Sequence, residues 1–226
     1  MTTYERPVLA RYTDPLTLVW LATARRLGLH VRRNPSIYSA TDGTGLLELG
    51  PLDTLDPDDT TAQMIFHEIC HWITNGRESF HERDWGFPLD VELDLRELAC
   101  VRLQAHLNAR FGLRDMFGPT SDFRAYYDAL HADCLVPLDA SAQEAEVCAI
   151  ARDAVARSGE APWREALVDA LAATATLRAT VAGFLPDYAS DLADDRLPNL
   201  WGGVPARAVP EGVMAPGVPL RTGGSS

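Results

Sequence analysis

The stretch that decides the fold of this chain is TTAQMIFHEICHWITNG, residues 60–76. Its apolar side chains recur at the spacing of one helical face, as Met64, Ile65, Ile69, Trp72 and Ile73. Polar residues that favour helix starts precede it, and glycine stands at position 76. The stretch therefore predicts an amphipathic α-helix that begins near Thr60 and ends before Gly76.

Three polar residues within this helix indicate a metal site. His67 and His71 are four residues apart, so their imidazoles lie on one face and can chelate a single ion. Glu68 reaches the rim of such a site without being a ligand, and there it can take a proton from metal-bound water. The alternative is a buried helix with two hydrogen-bonded histidines, which is unfavourable without a ligand. We expect one divalent metal ion, Fe2+ or Zn2+, with Glu68 as the catalytic residue.

Two histidines need at least one more protein ligand to hold a metal. A second long helix is predicted from about residue 91 to residue 110, and it carries Glu97 beside the small Ala99 and Cys100. Because small side chains allow two helices to approach closely, Glu97 is the preferred third ligand. Glu92 is its main rival, and His81 in the intervening loop is a third candidate that otherwise binds substrate or faces solvent.

The flanking sequence predicts a mainly α fold with a small β element (α+β). A helix begins at Asp14-Pro15 and ends at Gly28, and a β-hairpin of residues 37–40 and 46–49 precedes the metal helix. Further helices are predicted over residues 121–131, 141–157 and 163–184. These elements favour a zincin-like helical core with the hairpin in front of its metal-binding helix.

The domain organisation follows from composition along the chain. Residues 1–196 are expected to form a single metalloenzyme domain. Its metal core spans about residues 30–115, and its helical C-terminal half spans about residues 120–196. Residues 197–226 are rich in proline and glycine, which predicts an irregular tail.

Charge and cysteine usage limit the partners and the compartment. The net charge is -12, which disfavours binding to nucleic acids and anionic membrane surfaces. The four cysteines form no C-x-x-C pair, and neither a signal peptide nor a membrane-spanning run is recognisable. We therefore expect a cytoplasmic protein with reduced thiols and no structural all-cysteine zinc site. The oligomeric state is left open.

The residues around the motif resemble one enzyme family. The run His67-Glu68-Ile69-Cys70-His71-Trp72, then Gly76 and Asp84-Trp85-Gly86, is similar to the corresponding part of the elongation factor P hydroxylases, over about residues 64–112. The resemblance places Glu97 near the acidic residue on the second helix of that family. It implies a related metal core, and it favours a non-haem-iron oxygenase that hydroxylates a protein or peptide side chain.

Two other functions remain open on the residues alone. A zinc metallopeptidase or amidase uses the same two-His-one-Glu ligand set, with Glu68 as the general base. The third reading is a metal-binding scaffold without catalysis, which would not need Glu68.

Neighbouring residues have expected supporting roles. Trp72 is predicted to pack the metal helix against the hairpin. Asp84 either accepts a hydrogen bond from the ring N–H of a ligand histidine or caps its own turn. Gly76 is expected to end the helix with a positive φ angle.

Overall fold

A computed structural model describes residues 14–55, 59–87, 94–119 and 121–182 of the chain. Six α-helices lie within these ranges: α1 (Pro15–Arg26), α2 (Thr61–Asn75), α3 (Leu95–Arg110), α4 (Ser121–Ala129), α5 (Ala142–Ser158) and α6 (Trp163–Val181). Three short strands precede α2, namely β1 (His30–Arg33), β2 (Ser39–Thr41) and β3 (Leu46–Leu49). The mainly α fold with a small β element is therefore confirmed.

Contacts along the chain define two compact units, Met1–Thr180 and Val181–Ser226. The helices and strands that concern the site belong to the first unit. The predicted boundary at residue 196 and the predicted tail over residues 197–226 lie outside the described residues. Within the described ranges, no helix combines the length and the hydropathy needed to cross a membrane.

The first helix begins and ends where the sequence predicts. The Asp14 side chain accepts a hydrogen bond of 2.8 Å from the backbone N–H of Thr17, and Pro15 follows in the first turn. Gly28 closes the helix with a φ angle of 85°. Trp20 is fully buried, and its indole N–H donates to Thr174 Oγ1 on α6 at 3.1 Å. This bond fixes α1 to the last described helix.

The predicted hairpin is present, but it belongs to a three-stranded sheet in the order β1-β3-β2. Strands β2 and β3 pair antiparallel, with Ser39 opposite Leu49. Strand β1 pairs in parallel with β3 and was not predicted. Its sequence, His30-Val31-Arg32-Arg33, is largely exposed and lacks the alternation of apolar and polar residues that marks a half-buried strand.

Helix α2 has both ends that its sequence predicts. Thr60 and Gln63 form a capping box, in which each side chain accepts a hydrogen bond from the backbone N–H of the other. Gly76 ends the helix with a φ angle of 90°, as expected. The Arg157 guanidinium, from α5, donates to the carbonyls of Ile73 and Thr74 in the last turn. These contacts hold a helix that is almost wholly buried.

Helix α3 begins later than predicted, at Leu95 rather than near residue 91. Asp94 is its N-cap, with an extended backbone and a side chain that accepts from the N–H of Arg96 at 2.9 Å. Residues 91–93 lie outside the described residues. The Asp94 side chain thus satisfies one of the first-turn N–H groups that have no carbonyl partner within the helix.

Helix α3 packs against α2 on one side and α5 on the other. Its fully buried Arg102 forms an ion pair with Glu144 on α5 and donates to Tyr126 on α4 at 2.7 Å. Arg102 also donates to the carbonyl of Cys134 at 2.6 Å. One buried guanidinium thus joins three helices behind the face of α3 that meets α2.

Candidate metal centre

Helices α2 and α3 bring the three predicted ligands together. Nε2 of His71 lies 2.9 Å from Oε2 of Glu97, and Nε2 of His67 lies 3.9 Å from the same oxygen. Ligand atoms bound tetrahedrally at ~2.0–2.1 Å from zinc are about 3.3 Å apart. The two distances lie on either side of that value. Two imidazoles and one carboxylate therefore lie together here, and these are donor types that Fe2+ and Zn2+ accept.

Glu97 occupies the solvent side of this group. Its side chain is 21% exposed, whereas those of His67 and His71 are 6% and 12% exposed. A substrate or water molecule would accordingly reach the ligands past Glu97, in the first turn of α3. Glu92, the rival ligand, lies outside the described residues.

The orientation of the His67 ring is set by Gln104. Oε1 of Gln104 lies 3.2 Å from Nδ1 of His67, and Nε2 of Gln104 donates to the carbonyl of Gly118 at 3.2 Å. Because the amide oxygen faces His67, Nδ1 carries the proton and Nε2 presents its lone pair towards Glu97. Gln104 is fully buried. Sequence reasoning missed it, although it lies two turns after Glu97 on the same face of α3.

The ring of His71 lies between two carboxylates. Its Nε2 faces Glu97, and its Nδ1 lies 3.6 Å from Oε2 of Glu68. Phe87 stacks on the ring with a centroid separation of 4.4 Å. Burial lowers the pKa of His71, but the negative charges of Cys100, Glu97 and Glu68 outweigh it and raise the pKa well above its usual value of 6.5.

Glu68 is as deeply buried as His67, and hydrogen-bond donors from two other segments hold its carboxylate. The Ser39 hydroxyl donates to Oε1 at 2.6 Å, and the Trp85 indole N–H donates to Oε2 at 2.9 Å. Only 6% of the residue is exposed. Burial raises the pKa of Glu68, but the positive charges of His71 and His67 and the hydrogen bond from Ser39 have the larger, opposite effect and lower the pKa to about 2. Both carboxylate oxygens are therefore occupied, and the group is a weak base.

Asp84 has neither of the two roles expected for it. Its Oδ1 accepts a hydrogen bond of 2.9 Å from the backbone N–H of Thr41 in β2, and its Oδ2 contacts Arg83 at 3.3 Å. Asp84 and Trp85 have positive φ angles of 49° and 56°, a conformation that is strained for residues other than glycine. The bond to β2 holds this turn in place, so that the Trp85 indole reaches Glu68.

Trp72 lies in a cluster of aromatic rings. Its ring contacts Trp163 at 5.1 Å, Phe80 at 4.9 Å and Trp85 at 5.6 Å between centroids. Trp72 belongs to the same buried core as Leu47 and Leu49 of the hairpin, and its expected packing against the hairpin stays a prediction. His81 is exposed at the end of a 3-10 turn beside Phe80.

Cys100 is a further donor at the centre, which sequence reasoning treated only as a small side chain. Its Sγ lies 3.9 Å from Nδ1 of His67 and 3.8 Å from the carbonyl oxygen of His67. Donor atoms of His67, His71 and Cys100 all lie within 4.8 Å of one another. The side chain is fully buried.

Comparison with known proteins adds no relative. No family model, curated protein or solved structure matches the chain. The resemblance to the elongation factor P hydroxylases therefore stays a prediction, and the functional argument rests on the geometry of the described residues.

Proposed function

We propose that the chain is a metal-dependent enzyme whose ion is held by His67, His71 and Glu97, and that it is a non-haem-iron oxygenase. One observation carries the proposal. The Nε2 atoms of both histidines face Oε2 of Glu97, while Glu68 lies on the opposite, Nδ1 side of His71. Two histidines and one carboxylate with open positions are the ligand set of many iron oxygenases.

The position of Glu68 favours an oxygenase over a zinc hydrolase. A zinc hydrolase needs a base on the open side of the ion, where the water is activated. Glu68 is buried, accepts hydrogen bonds from Ser39 and Trp85, and faces the ring nitrogen that does not bind the ion. It therefore acts as a positioning residue, which fixes the ring and the tautomer of His71.

The reaction we propose is the hydroxylation of a protein or peptide side chain. One oxygen atom of O2 enters a C–H bond, and the other leaves as water with two protons and two electrons from an external reductant. Iron bound to the three ligands would supply the redox chemistry. Gln104 and Glu68 hold the two imidazoles, and the exposed edge of Glu97 marks the side from which substrate enters.

A zinc peptidase or amidase is the second candidate. The observation that favours it is the sequence position of Glu68 directly after His67, together with its 3.6 Å contact to His71. For this function the carboxylate must leave Ser39 and Trp85 and turn towards the open side. Glu68→Gln would then abolish hydrolysis without loss of the metal.

Metal content and oxygen uptake test the proposal together. Protein purified without added metal is analysed for iron and zinc, then reconstituted anaerobically with Fe2+ and exposed to oxygen with ascorbate as the reductant. We expect oxygen uptake by the iron-loaded wild type and not by Glu97→Gln. Stoichiometric zinc, no oxygen uptake and Glu68-dependent cleavage of peptide substrates would instead establish the hydrolase.

A further inference from the structure

Two antiparallel helices offer more donors at this centre than the proposed function uses. Helix α2 contributes His67 and His71 at a spacing of four residues, and α3 contributes Glu97 and Cys100 at a spacing of three. Both spacings place the pair on one helical face. Glu97 lies on the Nε2 side of His67, and Cys100 lies on the Nδ1 side.

We propose that Cys100, with His67 and His71, forms a second ligand set at this centre, which takes soft, thiophilic metal ions. The proposal extends the proposed function, because it uses the same two histidines. A single ion cannot bind both nitrogens of one imidazole. Binding through Cys100 and binding through Glu97 are therefore alternatives at His67, and a soft ion held by Cys100 excludes the working ion.

The distances fit a thiolate ligand. A zinc-like ion with nitrogen at ~2.0–2.1 Å and sulfur at ~2.3 Å separates the two donors by about 3.6 Å in tetrahedral geometry. The observed separation between Nδ1 of His67 and Sγ of Cys100 is 3.9 Å. Gln104 occupies the same nitrogen at 3.2 Å, so its amide must give way when an ion binds there.

The donor atom that α3 supplies decides which class of metal ion each ligand set prefers. Carboxylate oxygen suits harder ions, whereas thiolate sulfur favours soft ones such as Cd2+. The Cys100 side chain is fully buried, whereas the Glu97 side chain is 21% exposed. Ion selection at this centre would thus depend on which side chain of α3 completes the set.

Cadmium titration tests the inference directly. Purified metal-free protein is titrated with Cd2+ while the sulfur-to-cadmium charge-transfer absorption in the ultraviolet is followed. We expect one equivalent to develop this absorption in the wild type and in Cys148→Ser, whose buried thiol lies on α5 away from the histidines. Cys100→Ser and Cys100→Ala lose the absorption, and their Cd2+ affinity falls by more than the ~10–100-fold typical of losing an outer partner.

Three outcomes would overturn it. One is the absence of the absorption in the wild type, a result that needs no variant. The second is an absorption that persists in both Cys100 variants, and the third is its loss in Cys70→Ser with retention in Cys100→Ser. The Glu97→Gln variant should keep the cadmium absorption but lose iron. A wrong proposal for Cys100 and a wrong proposal for the oxygenase centre therefore give different results.

Discussion

Nε2 of His71 on α2 lies 2.9 Å from Oε2 of Glu97 on α3, across 26 residues of sequence. This contact joins a histidine of the motif to the acidic residue that we propose as the third ligand. It exists because α3 begins at Leu95, which places Glu97 in the first turn, where α3 meets α2. The proposed ligand set thus depends on how two helices pack, and the motif supplies two of its three members.

Removal of the Glu97 carboxylate should abolish metal retention. Glu97→Gln keeps the shape of the side chain but replaces an anionic ligand with a weak neutral one, so affinity for Fe2+ should fall by more than the ~10–100-fold typical of losing an outer partner. Metal content after gel filtration measures the effect. Glu92→Gln is the matched control and should retain the ion; the reverse pattern would reassign the third ligand to Glu92.

Gln104 should affect the metal without binding it. Gln104→Leu leaves the Nδ1 proton of His67 without an acceptor and should weaken metal affinity by ~10–100-fold, whereas Gln104→Glu keeps an acceptor and should restore most of it. Gln63→Leu is the comparison for lost stability, because Gln63 also donates to the carbonyl of Gly118, at 3.1 Å, and caps α2, whereas the hydrogen bond to His67 comes from Gln104. Equal losses of affinity in the Gln104→Leu and Gln63→Leu variants would show that Gln104 acts only through stability.

Metal binding should release a proton from His71. The raised pKa keeps this residue protonated at neutral pH in the metal-free protein, and the ion must displace that proton. Apparent affinity should therefore rise by about tenfold per pH unit below the raised pKa. Chelator competition at several pH values measures the slope. Glu68→Gln removes one negative charge that raises the pKa of His71, so the dependence of metal affinity on pH should become weaker. A wild-type affinity independent of pH would contradict the account.

The same raised pKa makes a prediction for the metal-free protein. A group whose folded pKa is raised contributes stability that is fully present below its unfolded pKa, here 6.5, and is lost as pH rises through the folded pKa. The free energy of unfolding of metal-free wild type should thus decline above pH 6.5. Urea unfolding at several pH values checks this, and His71→Gln should show a smaller decline, because the pKa of His67 is raised as well.

The buried ion pair between Arg102 and Glu144 should be a stability element separate from the centre. Arg102→Met leaves the Glu144 carboxylate buried without its cation and should destabilise the fold by ~3–5 kcal/mol. Arg124→Met breaks the exposed pair with Asp128 and should change stability by less than ~1 kcal/mol. Urea unfolding distinguishes the two, and a small effect of Arg102→Met would contradict a structural role for the pair.

Local signals predicted most of the helices. Asp14 and Thr60 start α1 and α2 as side-chain caps, and Gly28 and Gly76 end them with positive φ angles, all of which can be read within a few residues. Strand β1 could not be predicted in this way, because it pairs with β3, which lies later in the chain, and its own side chains are largely exposed.

The centre was predictable where it depends on helical spacing and unpredictable where it depends on packing. The spacing of His67 and His71 predicts that they share a helical face, whereas residue type alone left Glu97 and Glu92 as alternatives for the third ligand. The contacts of Gln104, Ser39 and Trp85 with the motif arise from tertiary packing, and Trp85 reaches Glu68 only through a strained turn. The motif alone placed Glu68 at the rim of the site. It could not reveal that Ser39 and Trp85 donate hydrogen bonds to the Glu68 carboxylate.

Crystallographic location of the bound ion tests the central claim most directly. Crystals of the protein loaded anaerobically with Fe2+ should show one anomalous peak within ~2.0–2.2 Å of Nε2 of His67, Nε2 of His71 and a carboxylate oxygen of Glu97. Glu68 should still accept from Ser39 and Trp85 in that crystal. An iron peak without Glu97 among its ligands, or no iron between α2 and α3, would contradict the account.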